Sequence, residues 1–153
     1  MTNRRAHRRT SMDKAATLAD LPFLAHCSRE EREVLAGAAD ECLLPAGHVL
    51  MWEGDRGTEA FVILEGTAEV AVAGEVVAVV GRGQTVGEMA LIDRRPRSAT
   101  VVARSPMRVL VVGNRHLGAL VGQAGVARGL LEVVTARLRN ADERAVVPAE
   151  PVG

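Results

Sequence analysis

The sequence predicts a mainly β domain flanked by helices, with the architecture of a sandwich, roll or barrel. Three observations carry that expectation. Between Glu41 and Val112, short valine-rich runs alternate with glycine-bearing turns. The segments before and after this block have apolar residues at helical spacing. The length, 153 residues, gives room for one compact domain and not comfortably for two. Seven or more strands with turn signals about every eight to twelve residues are the pattern of a β-sandwich, roll or barrel.

The strands follow in order. Leu43–Leu44 precedes Pro45-Ala46-Gly47, and His48–Trp52 precedes Glu53-Gly54-Asp55. Ala60–Leu64 runs into Glu65-Gly66, Thr67–Val72 into Ala73-Gly74, and Val76–Val80 into Gly81-Arg82-Gly83. Ser98–Ala103 and Arg108–Val112 close the series, parted at Ser105-Pro106. Valine and isoleucine are stiff at χ1 and pack well on a pleated surface, while glycine and proline supply the turns.

The flanks read as helices. Leu18, Leu21, Phe23 and Leu24 open an apolar helical stretch. Ser28 followed by Glu31 has the form of a capping box, which predicts a helix from Arg29 to Gly37 with Val34 and Leu35 on its apolar face. Beyond the strands, Asn114 caps a helix through Leu117, Leu120 and Val121 that stops at Gly122. A last helix runs from Val126 to Arg144. Its apolar stripe is Val126, Leu130, Val134 and Leu138, widened by Val133 and Ala141. Gly125 and Gly129 weaken its start by about 1 kcal/mol each relative to alanine. Residues 1–14, with Arg4, Arg5, His7, Arg8 and Arg9, read as a disordered basic arm, 15–145 as the domain and 146–153 as a flexible tail.

Composition removes several function classes. The formal net charge is zero, which argues against coating nucleic acid by bulk electrostatics. Aromatic residues are 2 % of the chain, Phe23, Trp52 and Phe61 without a tyrosine, so a ligand that needs aromatic stacking finds little. Cys27 and Cys42 form no close pair and read as free thiols in a reducing compartment, hence a cytoplasmic location. No apolar run reaches the eighteen or so residues of a membrane span, and no secretory leader is legible. His7, His26, His48 and His116 contain no chelating pair, so neither a metal nor a cofactor is expected. A cupin-like metal enzyme has similar β architecture but needs clustered histidines and carboxylates. The expectation is a binding protein and not an enzyme.

One segment breaks the β rhythm. From Gly83 to Ala99 the chain reads Gly-Gln-Thr-Val-Gly-Glu-Met-Ala-Leu-Ile-Asp-Arg-Arg-Pro-Arg-Ser-Ala. Gly87 allows a ligand close to the main chain. Glu88–Ile92 suits one short helical turn whose free N–H groups favour an anion. Arg97 can return two parallel hydrogen bonds to the same anion, and Ser98 can add a hydroxyl. Glu88 is negative and unsuited to the anion itself, but suited to accept hydrogen bonds from sugar hydroxyls. Anion donors beside a sugar acceptor imply a nucleotide. Arg94 and Arg95 read as solvated loop charges.

Gly87-Glu88-Met89-Ala90-Leu91 followed by Pro96-Arg97-Ser98-Ala99-Thr100 resembles the phosphate-binding cassette of cyclic-nucleotide-binding domains, the family of the catabolite activator protein and the regulatory subunits of protein kinase A. Pro45-Ala46-Gly47, Glu53-Gly54-Asp55, Phe61–Gly66 and Gly83 also resemble that family's turn and strand markers, so the likeness covers about residues 18–122. The resemblance implies an eight-stranded antiparallel β-roll, jelly-roll-like, with N-terminal helices, a short cassette helix and C-terminal helices. It implies that Arg97 pairs with the cyclic phosphate, Glu88 with the ribose 2′-hydroxyl, and the N–H groups of Met89 and Ala90 with phosphate oxygens, with Gly87 permitting the turn. Ser98 stands where the family touches phosphate and tunes the base, and serine there favours cAMP over cGMP. Val80 is placed to line the purine pocket.

The function expected is a stand-alone cyclic-nucleotide sensor that signals through its C-terminal helix to an effector protein. That helix, 126–144, is a candidate lid or the seam of a homodimer, with Arg137, Arg139 and Asn140 within reach of the base. Two rivals have other discriminators. A transcription regulator of the catabolite-activator type needs a further helix-turn-helix, and few residues follow Arg144, so direct DNA binding is not expected. A relic roll used for protein contacts has no need of Glu88 and Arg97. Arg8-Arg9-Thr10-Ser11 resembles a basophilic kinase target, but in so arginine-rich a terminus the match carries little weight.

Overall fold

The computed structural model describes residues 5–6, 17–19, 21, 24–87, 95–113 and 122–146. Among them lie β1 (Arg5–Ala6), α1 (Arg29–Ala38), β2 (Ala39–Leu44), β3 (Val49–Met51), β4 (Glu59–Glu65), β5 (Ala68–Val72), β6 (Glu75–Val80), β7 (Thr85–Val86), β8 (Thr100–Ala103), β9 (Met107–Gly113) and α2 (Ala124–Val146). The strands form two sheets, ordered β1-β2-β9-β4-β7 and β3-β8-β5-β6, and every pairing is antiparallel. Strands β2 to β9 are the eight-stranded roll the sequence implies. β1 is an addition to it.

The core explains the most apolar strands. β4 and β9 are buried on both faces, which is why Glu59–Glu65 and Met107–Gly113 show nearly continuous apolar runs. One face, with Val62, Leu64, Leu110 and Val112, packs under Leu18, Leu21, Leu24, Leu35 and Val126 from the helical segments. The other, with Phe61, Ile63, Val109 and Val111, packs against Leu50, Val80, Val101 and Ala103 of the second sheet. Leu110 is 1 % exposed at the centre of the first cluster. Leu110→Ala is expected to lower unfolding free energy by about 2–5 kcal/mol, through lost burial and an unfilled cavity, as read by urea denaturation.

Local chemistry sets the element boundaries. Ser28 Oγ accepts the Glu31 N–H at 3.1 Å and Glu31 Oε1 accepts the Ser28 N–H at 3.2 Å, so the capping box starts α1 where the sequence places it. Ala73 and Gly74 both have positive φ, 51° and 82°, as a two-residue hairpin turn between β5 and β6 requires.

Four features depart from the sequence reading. Thr17–Ala19 is helical, but Leu21, Leu24 and Cys27 donate to the carbonyls three residues back, Leu18, Leu21 and Leu24, at 3.2, 3.0 and 3.0 Å. The three-residue spacing of the leucines suits this tighter turn, which aligns residues three apart on one side, and all three are buried. Arg5–Ala6, inside the arm expected to be disordered, pairs with Leu43 and Cys42. Within the roll β2 is the end strand of its sheet, and the edge of a sheet is a template on which a further strand can pair. β7 is only two residues, opposite Phe61 and Val62, and too short to leave a periodic signal. Finally, the expected stripe on the last helix is covered over its first half, as far as the half-buried Val134, and open at Leu138. Val126 is buried and Leu130 partly so, whereas Leu138 is 61 % exposed. A four-residue step advances about 40° beyond a full turn of an α-helix, so successive stripe residues rotate away from the surface that holds Val126.

Phe23, the cassette helix at Glu88–Ile92, residues 114–121 of the expected Asn114 helix, the Arg8-Arg9-Thr10-Ser11 motif and residues 147–153 lie outside the described residues. Among the described residues no helix is long and apolar enough to cross a membrane.

Candidate functional site

The turn Glu53-Gly54-Asp55 positions Arg97. The Gly54 N–H donates to the Arg97 carbonyl at 2.9 Å, and the Arg97 N–H donates to the Asp55 carbonyl at 2.7 Å. Arg56 and Pro96 form an antiparallel bridge, so this two-stranded link extends the β3–β8 pairing past its end. The turn is itself anchored. The Glu53 N–H donates to Thr100 Oγ1 at 3.0 Å, and Glu53 Oε2 accepts the Ala73 N–H at 2.9 Å.

The Arg97 side chain runs inward and is only 7 % exposed. Its Nη1 donates to the Gly87 carbonyl at 3.1 Å and its Nη2 to the Glu59 carbonyl at 2.6 Å. Two glycines make the space. Gly87 has φ of 80°, and a Cβ there would lie 2.5 Å from Arg97 Nη1. A Cβ on Gly57 would collide with the guanidinium. The fork is therefore fixed in plane by two carbonyl oxygens and closed in by main chain. A fixed charge away from bulk water acts on an anion with less screening than a surface arginine does.

The structure thus brings Gly87 and Arg97 into direct contact. Ser98 follows Arg97 and is exposed. Glu88, Met89 and Ala90 lie outside the described residues. Val80 is 8 % exposed, pairs with Ala68 and belongs to the inter-sheet core. Most of its surface is already used there. The large exposed apolar residues of β6 are Val76, Val77 and Val79, on the strand that ends the second sheet among the described residues.

Sequence reasoning missed Gly57 and the Glu59 carbonyl. Arg56-Gly57-Thr58 carries no turn pair, and a lone glycine just ahead of a strand is a weak sign of close backbone approach. A carbonyl oxygen has no sequence signature at all.

A family model described as cyclic nucleotide-binding domain matches residues 41–124, more than half of the chain. The chain belongs to the cyclic nucleotide-binding domain family. Among relatives, it is 34 % identical over 125 residues to a cAMP-dependent protein kinase regulatory subunit of Emericella nidulans, covering 75 % of this chain and 30 % of that protein. It therefore spans about a third of that relative's length. A cyclic nucleotide-binding domain from Methylobacillus flagellatus superposes with a TM-score of 0.75 at 29 % identity, over 90 % of this chain and 83 % of the other. The Thermus thermophilus catabolite activator protein gives 0.73 at 27 % identity, over 81 % and 61 %. Within this cyclic nucleotide-binding domain, the matched span contains Gly57, Glu59, Gly87 and Arg97, so the enclosed guanidinium sits inside the segment that defines the family.

Proposed function

We propose that this domain, residues 15–145, is a cytoplasmic, non-catalytic sensor of cyclic AMP that passes the bound state to a partner through α2. The observation that carries the reading is Arg97, enclosed between Gly57 and Gly87 with its fork oriented by two carbonyls. Such a fork matches two oxygens of one phosphate. In this reading Glu88 supplies the acceptor for the ribose 2′-hydroxyl, and Met89 and Ala90 supply backbone donors for the phosphate. Ser98 beside Arg97 favours cAMP over cGMP by resemblance to cAMP-binding members. The cAMP-dependent regulatory subunits among the relatives support the same choice.

A thermal-shift series with cAMP, cGMP and linear AMP tests this. A ligand at a hundredfold excess over its dissociation constant stabilises the fold by about 2.7 kcal/mol. The cyclic forms are expected to raise the melting temperature and linear AMP to do so much less, because its second phosphate charge and free end do not fit a closed ring site. Equal response to all three would remove the ring-phosphate reading.

The effector is a protein that reads α2. A second copy is one such partner. Leu131 and Leu138 stand one heptad apart with Val134 between them, and both leucines are more than half exposed. That spacing suits a two-helix seam. Leu131→Glu is expected to convert a dimer to monomer in light scattering, and an unchanged mass with wild type dimeric would place the contact elsewhere.

A further inference from the structure

The base of α2 is held by a carboxylate that already serves another helix. Glu31 is the third residue of α1, and its Oε1 closes the capping box with the Ser28 N–H. Its other oxygen, Oε2, accepts the N–H of Gly125, the second residue of α2, at 2.6 Å. The two oxygens of one side chain thus satisfy donors at the starts of two helices, where backbone N–H groups have no intrahelical partner. Hydrogen bonds from the Ser28 and Gly125 N–H groups hold the carboxyl below the usual glutamate range, so it is ionised at neutral pH.

Three neighbouring contacts join the same two parts. Gly125 is seated so closely that a Cβ there would lie 2.5 Å from the His26 carbonyl oxygen and 2.7 Å from Cys27 Cα. Val126 is buried in the cluster that holds Leu24, Cys27 and Leu35. Two turns further, His26 Nε2 lies 2.6 Å from Glu132 Oε1. Segment 26–31 is therefore the seat of α2, and by Leu138 the helix surface is open.

We propose that Glu31 is the positioning residue of α2: its second carboxylate oxygen seats the start of the C-terminal helix on the start of α1, and removing that acceptor alone loosens the first two turns of α2 while the roll and α1 stay folded. The proposal concerns the ligand-free chain and stands whether or not the domain binds cyclic nucleotide.

Glu31→Gln isolates the acceptor. Glutamine at the third helical position still completes a capping box with its one carbonyl oxygen. Its amide group then turns N–H donors toward the Gly125 N–H, which is also a donor. Hydrogen exchange on the full ligand-free chain is the readout. The amides of Gly125 to Glu132 are expected to exchange at least tenfold faster in E31Q, with those of α1 and β9 unchanged. Ser28→Ala is expected to do the reverse, exposing the first turn of α1 and leaving Gly125 protected. Unchanged α2 exchange in E31Q, or equal acceleration in α2, α1 and β9, would overturn the proposal.

Gly125→Ala gives a second test should E31Q fold poorly. Alanine is the better helix former, so a helix governed by its own propensity gains protection in G125A. A helix governed by its seat loses protection, because the added methyl meets the His26 carbonyl. Gained protection would contradict the assignment.

Discussion

Arg97→Ala weakens cyclic-nucleotide binding by at least about 2 kcal/mol, or roughly thirtyfold, in a calorimetric titration of the purified domain. The magnitude follows from the geometry. Micromolar affinity needs about 8 kcal/mol, and a hydrogen bond to a charged group contributes about 1.5–3 kcal/mol net. The Arg97 fork can give a phosphate two of them. The loss is amplified because Nη1 and Nη2 are already oriented by the Gly87 and Glu59 carbonyls, so little rotamer entropy is spent on binding. Arg97→Lys keeps the charge without the fork and is expected to fall between wild type and alanine. The alanine variant also leaves two carbonyls without the arginine donor, so its melting temperature is expected to drop as well. Titration below that melting point separates the effects. Unchanged affinity in a folded Arg97→Ala protein would take this arginine out of the site.

Gly57→Ala carries the second large effect, although residue 57 has no ligand chemistry of its own. A methyl group there occupies the volume of the Arg97 guanidinium, at a place closed in by Gly87 and the Glu59 carbonyl. Either the arginine leaves its carbonyl partners or the main chain shifts. Overpacking of this kind costs about 1–3 kcal/mol, and affinity is expected to fall about tenfold or more by the same titration. The decisive comparison is the double variant. If Gly57 acts only through Arg97, Gly57→Ala adds little to Arg97→Ala, which is the signature of coupled positions. Fully additive losses would show that Gly57 affects binding by another route.

Strand content was legible because valine runs cut by glycine turns leave few alternatives. The boundaries of β4, β5 and β6 lie within a residue of those the turns mark. The capping box located α1 for a similar reason, since Ser28 and Glu31 satisfy one another locally and need no tertiary partner. What the sequence left unsaid is non-local. β7 exists only because Thr85 and Val86 meet Val62 and Phe61. β1 exists only because Arg5 and Ala6 meet Leu43 and Cys42. The C-terminal stripe overstated its burial, since periodicity along a helix shows which face is apolar and not how far a neighbour extends beneath it.

The site divides the same way. Gly87 and Arg97 were legible as residue types at a telling spacing, and the fold brings them into hydrogen-bond contact. Gly57 and the Glu59 carbonyl were not, because their roles lie in volume and in main-chain position. Val80 was read from the resemblance as lining the purine pocket, and the fold buries it between the sheets, paired with Ala68, a packing that its residue type alone does not reveal.

An amide NMR titration with cAMP probes the enclosed guanidinium most directly. Saturable shifts are expected at Gly54, Gly57 and Gly87 and at the Arg97 Nε–H, with linear AMP at equal concentration leaving them nearly unmoved. If cAMP at millimolar concentration leaves the Arg97 Nε–H and its flanking glycines in place, the phosphate does not bind there.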